Sequence, residues 1–399
     1  MKHSTDPVVV VGYARTPVGA FGRSLASVPA HVLGATAAKA AIERAGLTAN
    51  DIDEWIVGCV GAVGNDAYIS RRVALEAGAP FESTAMTVNR LCGSAMQAIA
   101  LGAQELLVGE SDIVVAGGVE NMSAQPFLDF GARAGVTLGD RTLVDGTNVL
   151  VTDPFSAEPM GITAENVAER FCVTREEQDA FAAESQRRAH EALASGAVTK
   201  EIAPVTVRTR KGDIVIDTDE HPRAGITVEK LASMRPVFKA DGTVTAGNSS
   251  GINDAGAMVV LTRASVAAQR GLKPLAELVD FTKVGIDPAI MGYAPKPAIE
   301  KILRRNGLEP ADLAWVELNE AFAAQAVPVI RDAGLDPAKV NPLGGAIAWG
   351  HPIGATGAII TARTIANLSP GQLGLATMCI GGGQAVASLW RGLGEQPSD

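Results

Sequence analysis

The chain repeats itself. Residues 37–57 read AAKAAIERAGLTANDIDEWIV and residues 298–318 read AIEKILRRNGLEPADLAWVEL. Superposed, they pair Gly46 with Gly307, Leu47 with Leu308, Asp51 with Asp312 and Ile52 with Leu313. Each copy shows helical apolar spacing, a Gly-Leu stop, an acidic turn and then a strand. A second pair follows in the same order: the helix-like stretches LCGSAMQAIALGAQEL (91–106) and GHPIGATGAIITARTI (350–365). A third closes each half with a strand ending in glycines, DIVVAGGVE (112–120) and LATMCIGGGQ (375–384). Three matched pairs in one order imply a duplication. The alternation of strands and helices within each copy implies an α/β fold, with helices on the faces of a parallel or mixed sheet.

At 399 residues the chain has room for two or three domains of about 150 residues each. The two halves are expected at 1–120 plus 251–272 and at 273–399. Residues 121–250 differ in character and are expected to form a separate cap or loop domain. They open with irregular, glycine-containing chain (NMSAQPFLDFGARAGVTLGD) and continue with a helical pair around ITAENVAERFC and REEQDAFAAESQRRAHEALASG. Short strand patterns follow in IAPVTVRTRKGDIVIDTDE. Bases gather at Lys200, Arg208, Arg210, Lys211, Arg223, Lys230, Arg235 and Lys239. Most fit a solvated face, and a few would suffice to hold a phosphorylated ligand.

Hydrophobic residues make up 47% of the chain but aromatics only 4%, so the core must be aliphatic and alanine-rich. The net charge of −10 argues against nucleic acid and anionic membranes as partners. A small anion at a local basic patch stays open. No stretch of 18 or more consecutive apolar residues suggests a membrane span. The N-terminal MKHSTDPVVVVGYARTP lacks the pattern of a signal peptide, and the C-terminal EQPSD is not a peroxisomal address, so a cytoplasmic chain is expected. Cys59, Cys92, Cys172 and Cys379 have no C-x-x-C spacing, which leaves neither a zinc site nor disulfides to expect.

Cys92 stands just before an alanine-rich helix. There, unpaired N–H groups and the positive end of the helix dipole favour a thiolate. A free cysteine is also commonly an inert core residue. His351 tips the balance toward chemistry: it opens the helix that the repeat makes the counterpart of the Cys92 helix. A pseudo-twofold relation between the halves would bring the two helix starts together, and a thiol beside an imidazole is an activated nucleophile. Cys379 ends an apolar strand before three glycines, whose N–H groups suit an oxyanion. Asn319 ends another strand, either as the N-cap of a helix over EAFAAQA or as a group that positions water.

VNRLCGSAMQA, NEAF, GHPIGATG and CIGGG, in this order and at these separations, resemble the four signature blocks of the thiolases, the CoA-dependent acyltransferases. The resemblance covers essentially the whole chain, including MGITAENVAERF, TREEQDAF, KGDIVIDTDE and TVTAGNSSGIND in the middle. It implies duplicated βαβαβαββ halves in a layered α-β-α-β-α core, with an inserted loop domain. It implies that Cys92 carries the acyl group, His351 is its base and Cys379 is the acid/base toward the second substrate. It also implies one oxyanion hole from His351 and an Asn319-held water, and another from the N–H groups of Cys92 and Gly381. Arg223 and Ser250 match positions that in relatives contact the ADP or pantetheine parts of CoA; Met160, Phe238, Ala246, Met291 and Phe322 match pocket positions. CoA and acyl-CoA are then substrates, no cofactor or metal is permanently bound, and the protein is a homo-oligomer, a dimer or a dimer of dimers. Residues 123–146 resemble the segment with which some relatives build tetramers.

Three departures stand out: Pro159 where many acetoacetyl-CoA-forming relatives have histidine, Ala95 for a frequent glycine, and the bulky Trp349. Pro159 leaves chain length open between acetoacetyl-CoA or short chains and the longer 3-ketoacyl-CoA of β-oxidation. A ketoacyl-synthase reading would need a Cys–His–His set. The histidines are His3, His31, His190, His221 and His351, so the C-terminal half offers only one. Gly247–Gly251 formally reads G-x-S-x-G, but a strand pattern follows where a nucleophile elbow requires a helix. A non-catalytic CoA-binding protein would be expected to have lost one of the four catalytic positions, and all four are present.

Overall fold

The computed structural model describes residues 5–394. The C-terminal EQPSD and the first four residues lie outside that range. The main sheet contains β1 (Val8–Arg15), β2 (Glu54–Gly58), β3 (Thr84–Val88), β4 (Ile113–Asn121), β5 (Asn253–Arg263), β6 (Ala276–Gly285), β7 (Leu313–Leu318), β8 (Leu373–Ile380) and β9 (Gln384–Gly392). They run in the order β7-β8-β9-β6-β1-β5-β4-β2-β3, and the two-residue strand Gly19–Ala20 on β5 completes a ten-stranded sheet. Within the sheet the halves join where β1 meets β6 antiparallel, at Val9↔Glu277 and Val10↔Ala276.

Outward from that seam the two halves have the same plan. One runs β1, β5, β4, β2, β3; the other runs β6, β9, β8, β7 and ends in a single parallel bridge, Val316↔Val340, in the place of β3. β5 returns from beyond residue 250 to lie between β1 and β4. β1 reads VVVVGYAR and is buried along its whole length, the signature of a strand covered on both faces.

The repeat seen in the sequence is a repeat of local devices. Helices α1 (Ala30–Arg44) and α6 (Pro295–Asn306) are each followed by a left-handed glycine, Gly46 at φ 72° and Gly307 at φ 65°. Only glycine takes that conformation without strain. The next turn is fixed in the same way in both copies: the Thr48 N–H donates to Asp51 at 2.9 Å, and the Glu309 N–H to Asp312 at 2.8 Å.

Helices α3 (Ser94–Val108) and α8 (Ile353–Ala366) form the middle layer, packed against each other and against strands of both halves. α1 and α2 (Ile69–Ala77) cover one outer face; α6 covers the other, with α7 (Ala323–Asp332) beside it. The result is the five-layer α-β-α-β-α stack. Small residues set its spacing. A Cβ on Gly357 would lie 2.6 Å from the Met96 backbone N, and one on Gly118 would lie 2.0 Å from the Gly354 carbonyl oxygen. The Leu91–Val108 stretch has a mean hydropathy of 1.3, enough by composition to cross a membrane, yet it is this buried core helix.

The middle segment carries helices α4 (Met160–Arg170) and α5 (Arg175–Ser195) and a hairpin of Val205–Thr209 with Gly212–Ile216. α5 packs on α7 and on the short turn Ala346–Trp349 that precedes His351.

Candidate active site

The two middle-layer helices start alike. α3 has Gly93 as its N-cap and α8 has Pro352, so Cys92 and His351 each stand two residues before the first helical residue. Cys92 and Ile252 pack against the same cluster of Val60, Met122 and Ile353, and Ile252 forms a parallel bridge with His351. Cys92 and Cys379 are electrostatic neighbours, since the charge of Cys92 is felt by the Cys379 thiol. Cys379 packs with Met291, Ala321, Met160 and Phe322.

The Cys92 thiol is half-buried among apolar groups, and desolvation pushes it up to about 11. The N–H groups of Gly381 and of Cys92 itself, aimed at the sulfur, pull it down, and the Glu120 carboxylate adds a smaller upward push. The helix start alone would favour a thiolate. Loss of solvent outweighs the helix terminus, and Cys92 rests as a neutral thiol. Burial, then the nearby Cys92, pushes Cys379 well above the ordinary thiol range.

Burial lowers His351 to about 4, so it is neutral at physiological pH. Its Nδ1 lies 2.7 Å from the Thr356 hydroxyl, which itself donates to the Pro352 carbonyl at 3.1 Å. With its one proton so committed, the Thr356 oxygen can only accept from Nδ1–H. In that arrangement the Nε2 lone pair is free for a proton. Thr356 escaped the sequence reading, although it sits inside the GHPIGATG block; its spacing from His351, just over one helical turn, is the signal that could have found it.

Asn319 is not a helix cap: α7 begins at Ala323, with Phe322 in the cap position. Its side chain is buried, and among the described residues neither amide atom has a hydrogen-bond partner. A buried amide without a partner costs about 1–3 kcal/mol, a penalty that a bound water or substrate oxygen removes. Asn319 lines a cavity of about 20 Å³, room for about one water molecule, together with Glu317, Gly350, Thr356 and Arg363. Glu320, next in the chain, accepts from the Ser185 hydroxyl, the Asn341 amide and the Ile347 N–H, so it holds the 346–349 turn in place.

The residues matched to CoA lie farther out. Arg223 and Ala246 are exposed and Ser250 is half-buried, its N–H bonded to the Ala321 carbonyl. The Phe238 ring meets Phe322 edge-on at 6.2 Å, linking this outer group to the Met160–Met291–Cys379 cluster. Two of the three departures have a structural account. The Ala95 methyl fills the space over Gly118 on β4, 2.8 Å from where a Cβ there would stand. The Trp349 ring turns toward Ala189, Ala192 and Val198 and lies under the Arg363 guanidinium at 4.9 Å, so its bulk is taken up by α5.

Family models for the thiolase N-terminal domain and the thiolase C-terminal domain match residues 8–265 and 272–391. The chain is 47% identical to the beta-ketothiolase BktB of Cupriavidus necator, over 97% of this chain and 99% of that one. The crystal structure of the Bacillus anthracis acetyl-CoA acetyltransferase superposes with a TM-score of 0.95 at 41% identity, covering 97% of this chain and 99% of that one. Human mitochondrial 3-ketoacyl-CoA thiolase in complex with CoA superposes with a TM-score of 0.93 at 40% identity, covering 98% of each chain. With the duplicated fold and the paired helix starts at Cys92 and His351, these matches establish that the chain belongs to the thiolase family.

Proposed function

We propose that this acyltransferase is a CoA-dependent thiolase. It joins acetyl-CoA to an acyl-CoA, or cleaves a 3-ketoacyl-CoA, by a ping-pong route through an acyl group on Cys92. The observation that carries this reading is the juxtaposition of two thiols, Cys92 and Cys379, at a site with one neutral imidazole whose Nε2 is free. The Cys92 proton passes to His351 as the sulfur bonds the acyl carbon, and CoA leaves with a proton. The N–H groups of Cys92 and Gly381 face the oxyanion that forms. Acylation takes away the ionisable Cys92 thiol, and with it one of the two causes that raise Cys379. Cys379, once its own proton has passed to His351, takes the α-proton of the second acetyl-CoA; the enolate attacks the acyl carbon and expels the Cys92 thiolate, which recovers its proton from His351. Asn319, with a water, supports the enolate oxygen.

The favoured substrate is acetoacetyl-CoA or another short chain. Longer chains are a second reading, supported by Pro159 in place of a polar histidine and by the aliphatic surroundings of Cys92: Val60, Met122, Leu150, Val151 and Ile353. CoA itself would lie along Arg223, Ser250, Ala246, Phe238 and Phe322. A homo-oligomer, dimer or dimer of dimers, fits the exposed Phe127, Phe130, Leu138 and Leu143 in the 123–146 segment. A cytoplasmic place in fatty-acid metabolism belongs to the same reading.

The test is CoA-dependent loss of the Mg-enolate absorbance of acetoacetyl-CoA, extended over 3-ketoacyl-CoA from C4 to C16. Cleavage at no chain length would sink the proposal. Cys92→Ser should abolish labelling by acetyl-CoA, whereas Cys379→Ser should be acylated and fail to condense. The opposite pattern would reverse the two roles.

A further inference from the structure

Two strings of hydrogen bonds run from the segment bearing Arg223 to the turn bearing His351. The first passes through Asn253, which is fully buried at the start of β5. Its Oδ1 accepts the His351 backbone N–H at 3.0 Å. Its Nδ2 donates to the Gly19 carbonyl at 3.0 Å and lies 3.3 Å from His221 Nδ1. The His351 N–H can only donate, so the amide has one orientation, and His221 Nδ1 must accept. His221 is buried and neutral, lowered to about 4 by desolvation and then by the Arg223 charge. The second string starts two residues on: the Arg223 N–H donates to Gln186 Oε1 at 2.9 Å, and Gln186 Nε2 donates to the Ile347 carbonyl at 3.2 Å.

The glycines along the first string leave no slack. A Cβ on Gly350, which has φ 94°, would lie 2.3 Å from Asn253 Oδ1, and one on Gly251 would lie 2.1 Å from His221 Cε1. The Asn253 amide therefore fills the space beside the Gly350–His351 peptide. None of the four residues matched to the thiolase reaction provides this brace.

We propose that Asn253 is the positioning residue for His351, and that His221 links it to the Arg223 segment, so that binding of the CoA nucleotide portion helps set the base. This rests on the thiolase reading above. It is a way for binding energy from a non-reacting part of the substrate to act on the chemical step. Truncated substrates should then lose rate constant as well as affinity.

The experiment measures the saturating rate of Cys92 acylation by acetyl-CoA and by acetyl-pantetheine, which lacks the nucleotide. In the unmodified enzyme acetyl-CoA should be faster by about tenfold or more. His221→Ala should bring the two rate constants within about twofold with little change in KM for acetyl-CoA, and His221→Asn, whose Oδ1 can stand in for Nδ1 as the acceptor for Asn253, should restore the gap. Asn253→Ala should lower both rate constants by about tenfold or more. An equal rate for the two thioesters in the unmodified enzyme, or an undiminished gap in His221→Ala, would overturn the proposal, whatever the folding of Asn253→Ala. If the unmodified enzyme forms no acetyl-Cys92 from either thioester, the thiolase reading itself fails and this inference with it.

Discussion

A threonine hydroxyl has one proton to give, and that of Thr356 goes to the Pro352 carbonyl. The state of His351 follows from this, because the Thr356 oxygen can then only accept from Nδ1–H. Thr356→Val removes the acceptor and frees the ring to place its proton on Nε2, where it blocks the transfer from Cys92. Acylation of Cys92 should fall by about a hundredfold, and Thr356→Ser should recover most of it. Single-turnover labelling with acetyl-CoA measures both. The acid limb has a defined sign as well. His351 is lowered to about 4, so its base form is complete above that value and is lost as pH falls through it, well below the ordinary imidazole range. At this scale the sequence was informative where residues sit in compact blocks. Cys92, His351 and Cys379 each announced themselves by glycine-rich neighbours and by the repeat. Asn253 and His221 did not, because their roles exist only through contacts with residues far away in the chain.

Strand β7 shows what element-level reading can and cannot supply. The alternation in LAWVELN marks a strand, and two-residue spacing puts Trp315, Glu317 and Asn319 on one face. A glutamate there reads as solvent-facing until α8 is laid across it. In the structure Glu317 is buried, takes a hydrogen bond from Trp315 Nε1 at 2.8 Å and faces the Arg363 side of the cavity. Burial raises it to about 8 against the Arg363 charge, with Glu201 and Glu320 adding to the rise. A carboxyl raised in the folded state holds a proton that the unfolded chain releases. Its contribution to stability is present below the ordinary carboxyl range and is lost as pH rises toward 8. Glu317→Gln removes that dependence and keeps an acceptor for Trp315. The variant should gain on the unmodified protein by about 1.4 kcal/mol per pH unit between roughly pH 5 and 8, read from urea midpoints. A constant offset across that range would show that Glu317 is ionised in the folded state.

At the scale of the whole molecule, the duplicated sheet explains two halves meeting at a narrow seam, and a buried ion network explains how the middle segment is held to both. Arg15 on β1 bonds Glu201 at 2.8 Å and Asp219 at 2.7 Å, while Arg363 on α8 bonds the same Glu201 at 3.0 Å. One carboxylate from the middle segment thus bridges an arginine from each half, with all four side chains at most 3% exposed. Asp219 also accepts the Val18 N–H, and Arg44 donates to the carbonyls of Glu201 and Ile202, so the crossing point is closed by backbone as well. Arg15, Glu201, Asp219 and Arg363 are unremarkable in a linear reading, since nothing local distinguishes them from the solvated bases and acids around them. Removing one member of a buried network strands the charges left behind, which costs about 3–5 kcal/mol, whereas exposed pairs are worth under about 1 kcal/mol. Glu201→Gln should therefore lower stability by about 3–5 kcal/mol, while Glu184→Gln, which breaks the exposed pair with Arg187 and the half-buried pair with Arg188, should cost much less, about 1 kcal/mol. Urea unfolding measures the difference, and hydrogen exchange locates it. In Glu201→Gln the 205–216 hairpin should lose protection before the central strands β1 and β5, because Glu201 leads directly into that hairpin. Uniform loss of protection across both would mean that the network stabilises the sheet itself, and that the middle segment is held by its packing alone.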